Sequence, residues 1–249
     1  MKNQWFGDIH DFRKYGLLRF LTQTEQFQKI LIAWMLTPPE DNDKCGKFRS
    51  YIKHPGHWQK CGEELFEKLK CFNMQTTKPK NVKLTFDLKI LSTDKFISFG
   101  DDNEHSLLKK RAEYFQNIEE TVCDLVFLDA DNGLEVDSMT NATQHKYICC
   151  TDVQSLYNVG KNILIYQHRA IGQSFETQIT CKLDKLGKLD ELKNCPMIVF
   201  RGGNVSYILL CRNKKQVCAI KHEFDNQKFP DYFLKIHGVY PCLTPLKTN

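Results

Sequence analysis

Residues 124–136 read DLVFLDADNGLEV. An apolar run from Leu125 to Leu128 stops at Asp129 and gives way to Asp131, Asn132 and Gly133. A short continuous apolar run closed by turn-forming residues is the pattern of a strand buried on both faces, as in a parallel sheet. Two other stretches share this form. ILIAWML at 30–36 is followed by TPPEDNDKCGK, and NILIYQ at 162–167 is followed by His168 and Arg169.

Between these runs the apolar spacing is helical. In residues 10–22 Phe12, Tyr15, Leu18 and Leu21 form a stripe that Leu17 and Phe20 broaden, and Asp8 or Asp11 can cap its start. Residues 57–72 point Trp58, Cys61, Leu65, Phe66, Leu69 and Phe72 inward, and 103–120, 151–158 and 173–186 read as further helices. Short strands are expected at 95–99 and near 146–150. Strands at 197–201 and 205–211 flank Arg201-Gly-Gly-Asn204, a hairpin signal, and the rest of the C-terminal stretch mixes a short helix with irregular segments. Strands alternating with helices predict an α/β fold. The expectation is a three-layer sandwich with a mainly parallel central sheet and an antiparallel C-terminal hairpin, in one domain over 1–249.

Composition narrows the function classes. A chain of 249 residues with 41% hydrophobic and 26% charged residues buries a sizeable core. The formal charge of +5 permits a polyanionic partner without requiring one. The start MKNQWFGDIHDF has no apolar leader, and no apolar stretch nears the ~18 residues of a membrane span. The eleven cysteines include no CxxC pair, so structural zinc is not expected; the thiols fit a reducing cytoplasm.

In open α/β sheets ligands bind beyond the carboxyl ends of the strands. Three clusters fall there: Thr37 to Asp41, then Asp129, Asp131 and Asn132, then Gln167, His168 and Arg169. Asp131-Asn132-Gly133 also reads as a plain tight turn, since Asn-Gly favours positive φ. Two acids two residues apart at a buried strand end, however, need cations, a metal or a ligand beside them. The N-terminal WFGDIHDFRKYG adds aromatics, acids, a histidine and two cations near a helix start, where anions are favoured. The chain has neither GxGxxG nor GxxxxGK[ST], and no GxSxG, so no nucleotide cofactor is expected.

The segments FGDIHDFRKYGLLRFL at 6–21, FLDADNGLEV at 127–136 and IYQHRA at 165–170 resemble a family of bacterial phage-defence proteins, the antiviral DNA glycosylases that remove glucosylated cytosine bases from phage DNA. The resemblance spans roughly residues 5–170 and implies a cytoplasmic enzyme acting on modified phage DNA without metal or cofactor. A carboxylate beside the sugar would stabilise oxocarbenium charge or activate water, and a donor would stabilise the departing base. Asp131 is the principal candidate, supported by Asp129, with Asn132 or His168 as donor. Trp5, Phe6 and Tyr166 are candidate stacking residues, and Asp8, Asp11 and Gln167 line the substrate. Arg13, Lys14, Lys47 and Arg169 are expected at phosphates. A second likeness, in the DxxK of Asp11 to Lys14 and the acidic strand end, is to ribosomal-RNA adenine-N6 methyltransferases. Here TPPEDND and DADN stand where those enzymes carry a Gly-rich loop and a DPPY turn. A metal-dependent nuclease built on the two acids and Asp8, and a non-catalytic nucleic-acid binder, complete the alternatives.

Overall fold

The computed structural model describes residues 6–35, 37, 48–74, 90–92, 104–169 and 172–240. The first helix, α1, spans Ile9–Gln23, and strand β1 follows at Ile30–Trp34. The region expected as one helix over 57–72 is broken. α2 (Pro55–Trp58) and a 3-10 turn at Gln59–Cys61 end at Gly62, and α3 (Glu63–Met74) starts afresh. Gly62 takes φ +149, a conformation no continuous helix accommodates. The expected strand at 95–99 lies outside the described residues; a three-residue strand, β2, occupies Ile90–Ser92. Then come α4 (Glu104–Glu120), β3 (Leu125–Asp129), α5 (Cys150–Asn158), β4 (Asn162–His168) and α6 (Phe175–Gly187). The chain continues through β5 (Met197–Gly202), β6 (Val205–Leu210), α7 (Lys214–Gln227) and β7 (Lys235–Tyr240).

The fold is α/β, with a seven-stranded mixed sheet in the order β2-β1-β3-β4-β6-β5-β7. β2, β1, β3 and β4 are mutually parallel; β6 enters antiparallel between β4 and β5, and β7 closes the edge antiparallel to β5. Five strands therefore run one way and two the other. The expected hairpin is β5–β6, turning at Gly203 with φ +64. The strand expected near 146–150 is a single parallel bridge between Ile148 and Leu134. α7 and β7 stand where a short helix and irregular chain were expected. KIHGVY carries too few large apolar residues to read as a strand, and as a half-exposed edge it needs fewer.

Alternation along the strands divides the interior into two cores. Ile30, Ile32, Trp34, Leu125, Phe127, Leu164 and Tyr166 pack with Phe12, Tyr15 and Leu18 of α1, Phe66 of α3 and Phe224 of α7. Leu31, Ala33, Val126, Leu128, Ile163 and Ile165 pack with Phe115 of α4, Leu156 of α5 and Ile179 of α6. The period of two fixes which helix each strand residue meets. Asp129, two residues beyond Phe127, shares the face that α1 covers.

α1 is buried on every side from Asp11 to Leu18. Its outer face is clamped by the C-terminal part of the chain. The Arg13 guanidinium donates to the Tyr232 carbonyl at 2.9 Å, and the Arg13 side chain lies against Gly202 and Gly203, where a Cβ would come within 2.7 Å of its Cδ and 3.1 Å of its Nη1. Gly16 faces the Phe233 ring so closely that a Cβ would lie 2.4 Å from it. Among the described residues no helix is long and apolar enough to cross a membrane.

Candidate functional site

The parallel half of the sheet has the order 2-1-3-4, so the chain direction across the sheet reverses between β1 and β3. In open α/β sheets that reversal opens a crevice at the strands' carboxyl ends. Met35, just past β1, donates its N–H to the Asp129 carbonyl at 3.1 Å, and Thr37 Oγ1 donates to Asp131 Oδ2 at 2.5 Å. The sequence-predicted acids therefore sit at this reversal, on the rim shared by β1, β3 and β4.

The two acids have different surroundings. Asp129 is wholly buried, 0% exposed, and Lys14 Nζ from α1 lies 2.9 Å from each of its oxygens. Lys14 is itself 6% exposed and stands 3.4 Å from Asp11 Oδ1, with its ammonium 4.3 Å from the Tyr166 ring centroid. Burial works against the lysine's charge, but Asp129 and Asp11 outweigh it and hold the ammonium well above the ordinary lysine range. Asp131 is half-buried beyond the strand end and tethered by Thr37.

α1 brings two more acids. Asp8 caps the helix, its Oδ1 accepting from the N–H of His10 at 2.8 Å and of Asp11 at 3.0 Å. Asp11 Oδ2 accepts from the Gly7 N–H at 2.8 Å, so it steadies the approach to the helix rather than capping it. Burial raises the Asp8 carboxyl, against the pull of its helix N–H bonds and Lys14. Burial likewise lifts Asp11 to about 7; Lys14 opposes this, while Asp8 and Asp129 add to it. His10 is driven the other way, to about 3, first by burial and then by Lys14, Arg13 and His168.

The turn after β3 is a built feature. Gly133 takes φ +79, and a Cβ there would lie 2.5 Å from Gln167 Oε1 and 2.8 Å from the Tyr166 carbonyl. Gln167 accepts from the Leu134 N–H at 2.9 Å and donates to the carbonyls of Asn132 and His168 at 3.1 and 2.9 Å. Asn132 donates its N–H to Lys146 O, and Ile148 N–H donates to Gly133 O. The turn reading of Asp-Asn-Gly is thus correct for the backbone, and it leaves the Asp131 carboxylate held at the rim.

Several sequence expectations are corrected. Arg13 and Lys14 do not face phosphates: both are buried, one bonded to Tyr232 and the other to Asp129. Phe6 and Tyr166 do not offer ring faces to a ligand. Phe6 packs in the core near Tyr15, and Tyr166 lies under Lys14 and beside Tyr207. Gln167 serves the turn rather than a substrate. Asp8 and Asp11 belong to the buried cluster behind the rim. Arg169 is half-buried and donates to Gln173 O at 3.3 Å. Trp5 and Lys47 lie outside the described residues.

His168 remains exposed at the end of β4, and its ring lies 6.1 Å from that of His10. The sequence reading gave His10 no role and overlooked Phe48, whose ring is also 6.1 Å from His10. The helical step from Asp11 and Lys14 back to His10, and the polar end of β4, were the available signals; nothing local marked Phe48. No family model, curated protein or solved structure matches this chain.

Proposed function

We propose that the crevice between the ends of β1 and β3 is the active site of a DNA glycosylase that removes a modified base, a glucosylated hydroxymethylcytosine, from phage DNA. The observation that carries this reading is the divided fate of the two acids. Asp129 is neutralised and buried by Lys14, whereas Asp131 is held at the rim by Thr37 and the Gly133 turn. Paired carboxylates whose surroundings separate their roles are a common basis of glycosidic chemistry. In this reading water attacks C1′ of the sugar as the C1′–N bond breaks. The base leaves with the bonding electrons, its edge held by a hydrogen bond from Asn132, and takes up the proton that Asp131 has drawn from the attacking water. Asp131 stabilises the oxocarbenium charge and takes the proton that water gives up. In the same reading the fold is a three-layer sandwich, which the two cores on either side of the sheet support, and the protein works in the cytoplasm on incoming DNA.

The Lys14 ammonium bears on the metal-nuclease alternative. It already holds both oxygens of Asp129, one of the acids that alternative would use, and no group of three or more acids, histidines or cysteines among the described residues is arranged to hold a metal. One observation favours a second reading, an adenosylmethionine-dependent nucleic-acid methyltransferase. The 2-1-3-4 order places the crevice where doubly wound sheets bind nucleotides.

The test is incubation with modified phage DNA, followed by mass spectrometry of released base. Wild type should leave abasic sites in the presence of chelator and without adenosylmethionine. Asp131→Asn should fold normally and lose on the order of a hundredfold or more in single-turnover base release. Full activity in Asp131→Asn would assign that acid to the turn alone. Methyl transfer in place of base release would establish the second reading, and binding without product would leave a nucleic-acid binder.

A further inference from the structure

Phe48 is 58% exposed and, among the described residues, is the one aromatic of three large apolar side chains that stand out into solvent; Val122 and Val159 are the others. A lone exposed apolar residue is ordinary on a protein surface. Phe48 is not placed at random, however. Its carbonyl accepts the Ile9 N–H at 3.0 Å, which pins it beside the start of α1. Its ring meets the His10 ring nearly edge-on, with centroids 6.1 Å apart and planes at 78°. On the far side His10 meets His168 at 6.1 Å and 65°. Three rings from three chain segments thus run along the rim that carries Asp131.

Two polar atoms characterise this row, and the one on His168 faces a ligand. His10 Nδ1 is buried and has no hydrogen-bond partner, a vacancy that folded proteins rarely leave without a reason. His168 Nδ1 lies 3.0 Å from the Arg169 carbonyl, which can only accept. The proton therefore sits on Nδ1, and neutral His168 presents Nε2 as an acceptor.

We propose that Phe48, His10 and His168 form a platform for a flat heteroaromatic ring, with Phe48 stacking its face, the His10 ring holding Phe48 and His168 in one row, and His168 bonding its polar edge. Resting on the glycosylase reading, the inference names what the rim holds: the extruded base of a single nucleotide, carrying an exocyclic amine that the His168 acceptor can take. Every base has a stackable face, and an extruded base is read by its edge. The row also offers an aromatic surface in place of Trp5, Phe6 and Tyr166.

The probe is a single-stranded oligonucleotide with one fluorescent cytosine analogue, beside the same strand abasic at that position. Binding is measured for the full chain and for Phe48→Ala and His10→Ala, with thermal melts confirming the fold. Both variants should lose roughly ten- to a hundredfold in affinity for the base-bearing strand, the scale of one lost stacking partner, and bind the abasic strand as wild type does. Emission of the analogue should change on binding to wild type and less so with Phe48→Ala. Equal affinities of both variants and wild type for the base-bearing strand would overturn the platform. The outcome is separable from that of the catalytic reading. Base-dependent binding without base release keeps the platform and removes the glycosylase; wild-type base release by both variants does the reverse.

Discussion

Replacing Lys14 with methionine tests the electrostatic account of the site. The substitution keeps an unbranched side chain of similar length and removes one charge. Its ammonium lies 2.9 Å from both oxygens of the fully buried Asp129 and 3.4 Å from Asp11, with Asp8 nearby on the same helix end. Removing one partner of a buried pair leaves the other unsolvated, at a cost of roughly 3–5 kcal/mol. For a chain of 249 residues that corresponds to a fall in melting temperature of roughly 6–20 °C. The carboxylates left behind take up protons, so the deficit should be larger at pH 8 than at pH 5. The double variant Lys14→Met, Asp129→Leu removes both charges and should recover much of the loss. Its salt dependence of DNA binding should match wild type, because Lys14 touches no phosphate. The assay is thermal and urea unfolding of wild type and the two variants at both pH values. A Lys14→Met protein within about 1 kcal/mol of wild type, or equally weakened at pH 5 and 8, would refute the reasoning.

Asp11 and His10 should contribute opposite slopes to stability against pH. Asp11, raised to about 7, adds stability that is full below about pH 4 and drains away as pH rises to about 7, whereas His10, lowered to about 3, takes stability away as pH falls from about 6.5. Urea melts between pH 4.5 and 6.5 should therefore show stability climbing more steeply with pH in Asp11→Asn and falling in His10→Gln; unchanged slopes would disprove the linkage. Gly133→Ala forces a side chain onto φ +79 and against Gln167, and should lose roughly 1–3 kcal/mol in denaturant melts; wild-type stability would mean the turn relaxes freely. Gln167→Leu strips partners from Leu134 N–H and from the Asn132 and His168 carbonyls, so it should melt early with no substrate present, by roughly 1–3 kcal/mol; a variant that melts normally but binds substrate poorly would return Gln167 to the substrate.

The strands of the parallel half were legible because each is a continuous apolar run stopped by turn residues, and their ends gave the rim directly. DLVFLD and NILIYQ became β3 and β4 within a residue or two. What the sequence hid was depth. FGDIHDFRKYG reads as a solvated, charged helix start, yet all of it but the half-buried Ile9 and His10 is buried, so charges that look free are internal pairs. Helical spacing says which residues share a face, not what lies opposite; here Asp129 lies opposite Lys14. β7 escaped notice because an edge strand needs little apolar patterning, and the break at Gly62 because the inward spacing continues across it. Phe48 gains meaning only through a ring contact with His10, a relation no local pattern contains.

The clamp on α1 has a consequence for how the molecule comes into being. The helix that carries Asp8, Asp11 and Lys14 leaves the ribosome well before the walls that seat it. Its seat on Gly202, Gly203, Tyr232 and Phe233 follows much later, since Arg13 and the Tyr232 carbonyl it bonds stand 219 residues apart. At translation rates of roughly 5–20 residues per second, α1 waits about 10–40 s for that seat. Through that interval the nascent chain has its acids and its lysine but not the walls that press them together. Product cut short before Phe233 is the same chemistry unassembled, so any activity first appears only after Phe233 has been made.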